Sequence, residues 1–188
     1  MNNESNLNID QAIYNTSIAK GFTPISAKFV VAQARFESAD YTSANFKNNN
    51  NTSGMKFVNQ PLAKRGNKSP EGDYYAKYDT VQNAIDDKVG RLYNITRAGV
   101  TPQQLKDAKT PEEFADLLKR RGYYGNGKYG TPQGNAEQKN YANGIKAKLL
   151  KINFMEFVDN VKKNGGTLLT IGIILIVSSI YFYNKFKI

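Results

Sequence analysis

Seventeen consecutive uncharged residues, TLLTIGIILIVSSIYFY from Thr167 to Tyr183, lie near the C-terminal end of the chain. A run with no polar face must be buried, either in protein or in lipid. About 20 apolar residues cross a bilayer as a helix, and Gly165, Gly166 and Asn184 lengthen the run. Tyr181, Phe182 and Tyr183 sit where an aromatic belt would lie, and lysines flank both ends. The pattern predicts a C-terminal transmembrane helix over 167–184, a helical linker over 151–166 and a folded domain over 1–150. A buried core helix is the competing reading. The expected partner of the run is a lipid bilayer, and the expected location is a membrane crossed once. Met1 to Asp10 is polar and lacks a basic cluster followed by an apolar run, so no secretory signal is expected there.

Upstream of that run the chain has neither Cys nor His. Disulfides, Ser-His-Asp and Cys-His nucleophile systems and the commonest zinc ligand are thereby excluded. Any acid–base chemistry falls to Asp, Glu, Tyr or Lys. No metal and no cofactor is expected. Lys and Arg number 26 against 16 Asp and Glu, a net charge of +10 that favours an anionic partner. The sequence carries no helix-turn-helix glycine signature, zinc spacing or RNA-binding aromatic motif, so nucleic acid is not expected.

Thr23-Pro24 reads as a capped helix start. Ile25, Phe29, Ala32 and Phe36 follow at helical spacing, predicting a helix with one buried face over Pro24 to about Ser38. A shorter helix precedes it, from Ile9 to Ala19. Asn48 to Gly54 reads as a loop, Met55–Val58 and Tyr74–Tyr78 as short strands, and Pro61 to Asp73 as an exposed loop. Val81, Ala84, Ile85, Val89 and Leu92 line one side of a predicted helix from Thr80 to Tyr93. Thr101-Pro102 and Thr110-Pro111 open two more. Gly122 to Gly134, with five Gly in thirteen positions, reads as a loop, and the helical pattern resumes from Ala136 through Val158. The expected fold is mainly α with a small β region.

Candidate chemistry centres on Ala32-Gln33-Ala34-Arg35-Phe36-Glu37-Ser38. Glu37 stands at the predicted end of the helix beside Phe36. A carboxyl held against apolar packing has a raised pKa and keeps a proton to donate. On these residues alone, a solvated surface glutamate is the ordinary reading. Glycosidases normally use a second carboxylate, and Glu71 and Asp73 in the loop before Tyr74 are the candidates. Of twelve Tyr, six (Tyr74, Tyr75, Tyr78, Tyr123, Tyr124 and Tyr129) cluster in segments beside the expected cleft, where sugar rings could stack.

The string Ala32-Gln33-Ala34-x-x-Glu37-Ser38, then Asn51-x-x-Gly54-Met55-Lys56, resembles the glucosaminidase family of peptidoglycan hydrolases, glycoside hydrolase family seventy-three. Tyr78-Asp79-Thr80 with the following helix, Gly122-Tyr123 and Tyr141-Ala142-Asn143-Gly144-Ile145 continue the likeness, which covers about residues 9–150. The resemblance implies a lysozyme-like fold, a cell-wall glycan substrate and Glu37 as general acid. It also implies Tyr123 as an active-site tyrosine, and Asn51, Gly54 and Lys56 as shapers of the cleft. Tyr78 and Tyr124 join them as expected substrate contacts. Ala39-Asp40-Tyr41 departs from the family's Gly-Trp-Gly-type stretch, and Tyr124-Gly125-Asn126-Gly127 departs from its Ala-Thr-Asp-Pro.

The implied activity is hydrolysis of N-acetylglucosaminyl bonds in peptidoglycan. The same residues leave open a lytic transglycosylase, a muramidase or a non-catalytic glycan-binding module. Lysines cluster before the apolar run more than after it, which would hold the domain in the cytoplasm, away from peptidoglycan. A phage lytic enzyme, seated in a virion membrane or awaiting lysis, fits that topology.

Overall fold

A computed structural model of the chain describes residues 3–152. The elements run α1 (Asn3–Ala19), α2 (Pro24–Glu37), α3 (Ala44–Asn49), β1 (Ala63–Lys68), β2 (Tyr74–Tyr78), α4 (Val81–Ile85), α5 (Pro102–Lys106), α6 (Pro111–Arg120) and α7 (Pro132–Leu149). A π-helical segment, Asp86–Arg91, and a 3-10 turn, Leu92–Asn94, continue α4. All of these lie within one unit, Met1–Lys151.

Threonine–proline pairs set the helix starts. Thr23, Thr101, Thr110 and Thr131 each accept a backbone N–H through the hydroxyl while the following Pro, with no N–H to satisfy, occupies the first turn. Thr131-Pro132 moves the start of the last helix four residues ahead of the expected Ala136. Helix α1 likewise begins at Asn3 rather than Ile9.

Helix α2 is the hub. It packs against α1, α5, α6 and α7. The expected single buried face is therefore too narrow: Ser26, Ala27 and the whole run Phe29 to Ala34 are buried, whereas Ile25 and Phe36 are exposed. Small residues at 27, 32 and 34 let neighbouring helices close on several sides. Phe29 meets Phe114 of α6 at 5.9 Å between ring centroids, and Phe114 meets Tyr93 edge-on at 6.3 Å.

Strands β1 and β2 form an antiparallel hairpin pairing Ala63 with Tyr78, Arg65 with Ala76 and Lys68 with Tyr74, with a bulge between Arg65 and Lys68. A Cβ on Gly66 would press on the Asn49 side chain and lie 2.9 Å from the Tyr75 carbonyl oxygen. Strand β1 reads AKRGNK and is mostly exposed, so it has no apolar alternation to betray it. Its partner defines it, and the loop expected over 61–73 is a strand and a turn. Met55–Val58, expected as a strand, contributes a single bridge, Lys56 to Tyr75, along the other edge of β2.

The expected transmembrane helix is corrected here. Among the described residues no helix is long and apolar enough to cross a membrane. The longest, α7, carries Glu137, Lys139, Lys146 and Lys148, and one charge at a bilayer centre costs about 2.5–3.5 kcal/mol. The linker from residue 153 and the run at 167–184 lie outside the described residues. The single-pass membrane location, the bilayer contact and the phage source argued from that topology have no support in the structure.

Gly134 marks a tight closure. A Cβ there would collide with the Lys128 carbonyl, whose carbon is 2.9 Å away, and would lie 3.3 Å from the Gly127 oxygen. Backbone cannot swing aside as a side chain does. Gly134→Ala should cost about 1–3 kcal/mol, read as an earlier midpoint in urea unfolding. A variant as stable as the parent would show that the loop over 122–131 yields freely.

Candidate active site

Glu37 ends α2, and the chain immediately after it is held in an unusual conformation. Ala39, Asp40 and Tyr41 have φ of 51°, 54° and 62°, a left-handed turn without a glycine. Each such residue costs roughly 1–2 kcal/mol, so surrounding bonds must over-determine it. The Ser38 hydroxyl donates to the Ala34 carbonyl at 2.6 Å and accepts from the Tyr41 N–H at 3.0 Å. The Tyr41 hydroxyl donates to Asp10 of α1 at 2.6 Å, and Asp10 also takes two bonds from the Arg35 guanidinium, at 2.8 Å from Nε and 2.5 Å from Nη2. Lys148 of α7 reaches Asp40 at 2.5 Å. The end of α2, and Glu37 with it, is thus tied to both flanking helices.

The Glu37 side chain is 13 % exposed. Its Oε1 accepts from the Tyr141 hydroxyl and from Gln33 Nε2, the latter at 3.2 Å. Its Oε2 accepts from the Tyr123 hydroxyl at 3.1 Å and faces Lys88 Nζ at 3.7 Å. Gln33, one turn earlier on α2, is wholly buried. It donates to the Tyr141 hydroxyl at 2.7 Å and accepts from that of Tyr93. Burial pushes the Glu37 carboxyl above the ordinary range; the Lys88 ammonium and the bonds from Tyr141, Tyr123 and Gln33 pull the other way.

Local sequence explains how Tyr123 arrives. Gly122, with φ of 65°, follows α6 in the left-handed region. The Gly122 N–H returns to Lys119 O and the Tyr123 N–H to Leu118 O, the closure that lets a glycine end a helix and reverse the chain. Tyr124 lies flat on Tyr141, 3.8 Å between centroids and 6° between planes, with its hydroxyl on the Ala115 carbonyl. The geometry therefore separates the two neighbours: Tyr123 touches the acid, and Tyr124 braces Tyr141.

Glu37, Tyr123, Tyr124 and Tyr141 open on a cleft of about 500 Å³ whose other walls include Ser53, Gly54, Lys56, Arg91, Leu92 and Arg97. Glu37 is the one carboxylate among its described lining residues. A buried acid with a raised pKa, beside tyrosines at an open cleft, is equipped to give a proton to a leaving oxygen.

A model of the family described as glucosaminidase, mannosyl-glycoprotein endo-beta-N-acetylglucosaminidase, matches residues 16–154. The chain belongs to the glucosaminidase family. It is a glycoside hydrolase, and membership supports peptidoglycan glycosidase activity. The fold of this glucosaminidase is similar to that in the structure of a type VI secretion system effector–immunity complex from Pseudomonas protegens. The likeness has a TM-score of 0.50 and 18% identity, and covers 79% of this chain and 96% of that one. No curated protein matches the sequence.

The remaining expected site residues divide by location. Asn51 is buried, and its side chain donates to the Met55 and Ala76 carbonyls at 2.8 and 2.9 Å and accepts from the Ser53 and Met55 N–H groups. It fixes the loop that carries Ser53 and Gly54 to the cleft wall. Lys56 lines the cleft and pairs with Glu71 at 2.7 Å. Glu71 is itself exposed, and that hydrogen bond from Lys56 takes its carboxyl down to about 2. Asp73 lines an adjoining cavity of about 460 Å³ with Arg65 and Tyr74, which shares Lys56 and Val58 with the cleft. Neither Glu71 nor Asp73 lines the cleft of Glu37. Tyr78 is 1% exposed, with its hydroxyl on Asp87 at 2.7 Å, and does not line the cleft either.

Gln33, Lys88, Tyr93 and Tyr141 also surround the acid; the sequence assigns none of them a role, although Gln33 and Tyr141 stand in the strings that carry the family likeness. Two signals were available. Gln33 is four residues before Glu37, one helical turn on the same side. Lys88 falls at the i+4 position from Ala84 and i−4 from Leu92, a lysine inside an apolar stripe.

Proposed function

We propose that this glucosaminidase hydrolyses N-acetylglucosaminyl bonds of bacterial peptidoglycan strands, with Glu37 as general acid and Tyr123 and Tyr141 positioning it. The observation that carries the reading is the Glu37 carboxyl, buried, raised in pKa and the one acidic side chain among the described residues lining the cleft. The proton passes from Glu37 to the glycosidic oxygen as the sugar C–O bond breaks, and the bonding pair stays with that oxygen. Lys56, Gly54 and Tyr124 would bound the sugar site, and Asn51 would support it.

Among the described residues no second carboxylate lines that cleft, which supports one refinement. The substrate's own acetamido oxygen supplies the nucleophile, so that Glu71 and Asp73 are dispensable. The same lack is what a lytic transglycosylase would present. Mass spectrometry of digested peptidoglycan separates the outcomes. Fragments with a reducing N-acetylglucosamine end are expected. An anhydro-muramic end would make the enzyme a transglycosylase, and a reducing muramic end a muramidase.

A further inference from the structure

Beside Glu37 stands a cation that the reaction as described does not use. The Lys88 side chain is 3% exposed, its Nζ makes no hydrogen bond, and it lies 3.7 Å from Glu37 Oε2. The rings of Tyr93 and Tyr123 pass it at 5.7 and 5.9 Å. An ammonium carries three donors, and burying it with one ion-pair partner and no hydrogen bond is costly. A methionine or leucine would fill the space without that cost. Lys88 is not among the described residues that line the cleft. The π-helical segment, which packs one extra residue into a turn, is what turns both Asp87 and Lys88 inward.

We propose that Lys88 is a positioning residue that sets the acid strength of Glu37, its buried ammonium stabilising the carboxylate left behind when the proton goes to the glycosidic oxygen. The proposal rests on Glu37 as the acid. A carboxyl among buried tyrosines alone would hold its proton too tightly to give it up, and a fixed positive charge 3.7 Å away offsets that. Other groups around the pair do not compete for the role. Asp87, on the same segment, is engaged by Arg91 and Tyr78. Arg121 is committed to the Leu92 and Ile95 carbonyls. Burial raises the hydroxyls of Tyr93, Tyr123 and Tyr141 well above their usual range, so they stay neutral. Burial also lowers the Lys88 ammonium to about 8, with the Glu37 charge opposing the fall. Burial thus moves the Glu37 carboxyl up and the Lys88 ammonium down, toward each other.

The test reads both partners by NMR, with labelled glutamate carboxyls and labelled lysine ammonium groups, beside pH profiles of cell-wall lysis. In Lys88→Met the Glu37 midpoint should rise by about one to three pH units, the shift an adjacent opposite charge produces. The alkaline limb of the lysis profile should move up by the same amount, with kcat lowered, KM unchanged and Lys88→Arg restoring the parent profile. Coupling is reciprocal, so in Glu37→Gln the Lys88 midpoint should fall to a matching degree. That second reading stands even if Lys88→Met does not fold. An unmoved Glu37 midpoint in Lys88→Met, or an unmoved Lys88 midpoint in Glu37→Gln, overturns the proposal. A shifted Glu37 midpoint with an unshifted lysis profile would instead overturn Glu37 as the acid.

Discussion

Glu37→Gln is expected to lower lysis of cell-wall suspensions by about 10²- to 10⁴-fold, the contribution a positioned general acid makes. Glutamine keeps the shape and still accepts from Tyr123, but it has no proton to give. The fold should not suffer. The folded-state pKa of Glu37 lies above the ordinary 4.5, so between those two values the folded chain holds a proton that the unfolded chain has lost. That contribution to stability is present in full below 4.5 and is lost as pH rises through the folded value. Once pH has risen through that folded value, the parent carries a buried carboxylate that the variant lacks. Thermal melts across a pH series should place Glu37→Gln at or above the parent on the alkaline side of the folded value, while at pH 4 the two should converge. A variant retaining more than a few per cent of lysis would remove Glu37 from the role of acid.

Asp10→Ala should be the most damaging change to stability. Asp10 is wholly buried and holds the Arg35 guanidinium and the Tyr41 hydroxyl. Its removal leaves a largely buried cation and a buried hydroxyl without their acceptor. Breaking one side of a buried ion pair costs about 3–5 kcal/mol, roughly 10 °C in melting temperature for a domain of this size. The damage should also reach the chemistry, because the left-handed turn over Ala39–Tyr41 loses its clamp and the end of α2 loosens. Unfolding followed by circular dichroism checks the first point. An Asp10→Ala protein within about 1 kcal/mol of the parent would show that the turn is held by Ser38 and Lys148 instead.

How far the sequence disclosed this arrangement depends on what kind of signal each part leaves. The Thr-Pro starts at Thr23, Thr101 and Thr110 and the apolar stripe of α6 are local, and local rules find them; the start at Thr131 falls in a stretch whose glycines read as loop. Strand β1 leaves no trace because AKRGNK has no apolar face; pairing across a hairpin makes it a strand. The apolar run at 167–184 carries a strong signal, but no helix of the described residues matches it, and the reading of a membrane anchor does not stand. In the site, Glu37 and Tyr123 were legible through their likeness to a family pattern, and the structure brings them within 3.1 Å. Physics of the residues alone could not have chosen Glu37, because its burial depends on Tyr141, 104 positions away. Glu71 and Asp73 were chosen by the habit of glycosidases to use two carboxylates. The fold instead engages Glu71 with Lys56 and puts Asp73 in another cavity. Asp10 drew no notice, since an acid in a polar N-terminal stretch looks solvated until its partners are known.

Glu37's partners come from four well-separated stretches of chain: Gln33 beside it, Lys88, Tyr123 and Tyr141. A nascent polypeptide that has left the ribosome only as far as Arg120 possesses the glutamate and its helix, but neither of the tyrosines that grip the carboxyl. Until the closing helix emerges and docks, the acid is an ordinary solvated side chain that has already lost its proton at neutral pH. Synthesis itself is therefore a timer: the acid gains the partners that grip it only once α7 has been made and has docked, and a product that stops at Arg120 lacks both tyrosines.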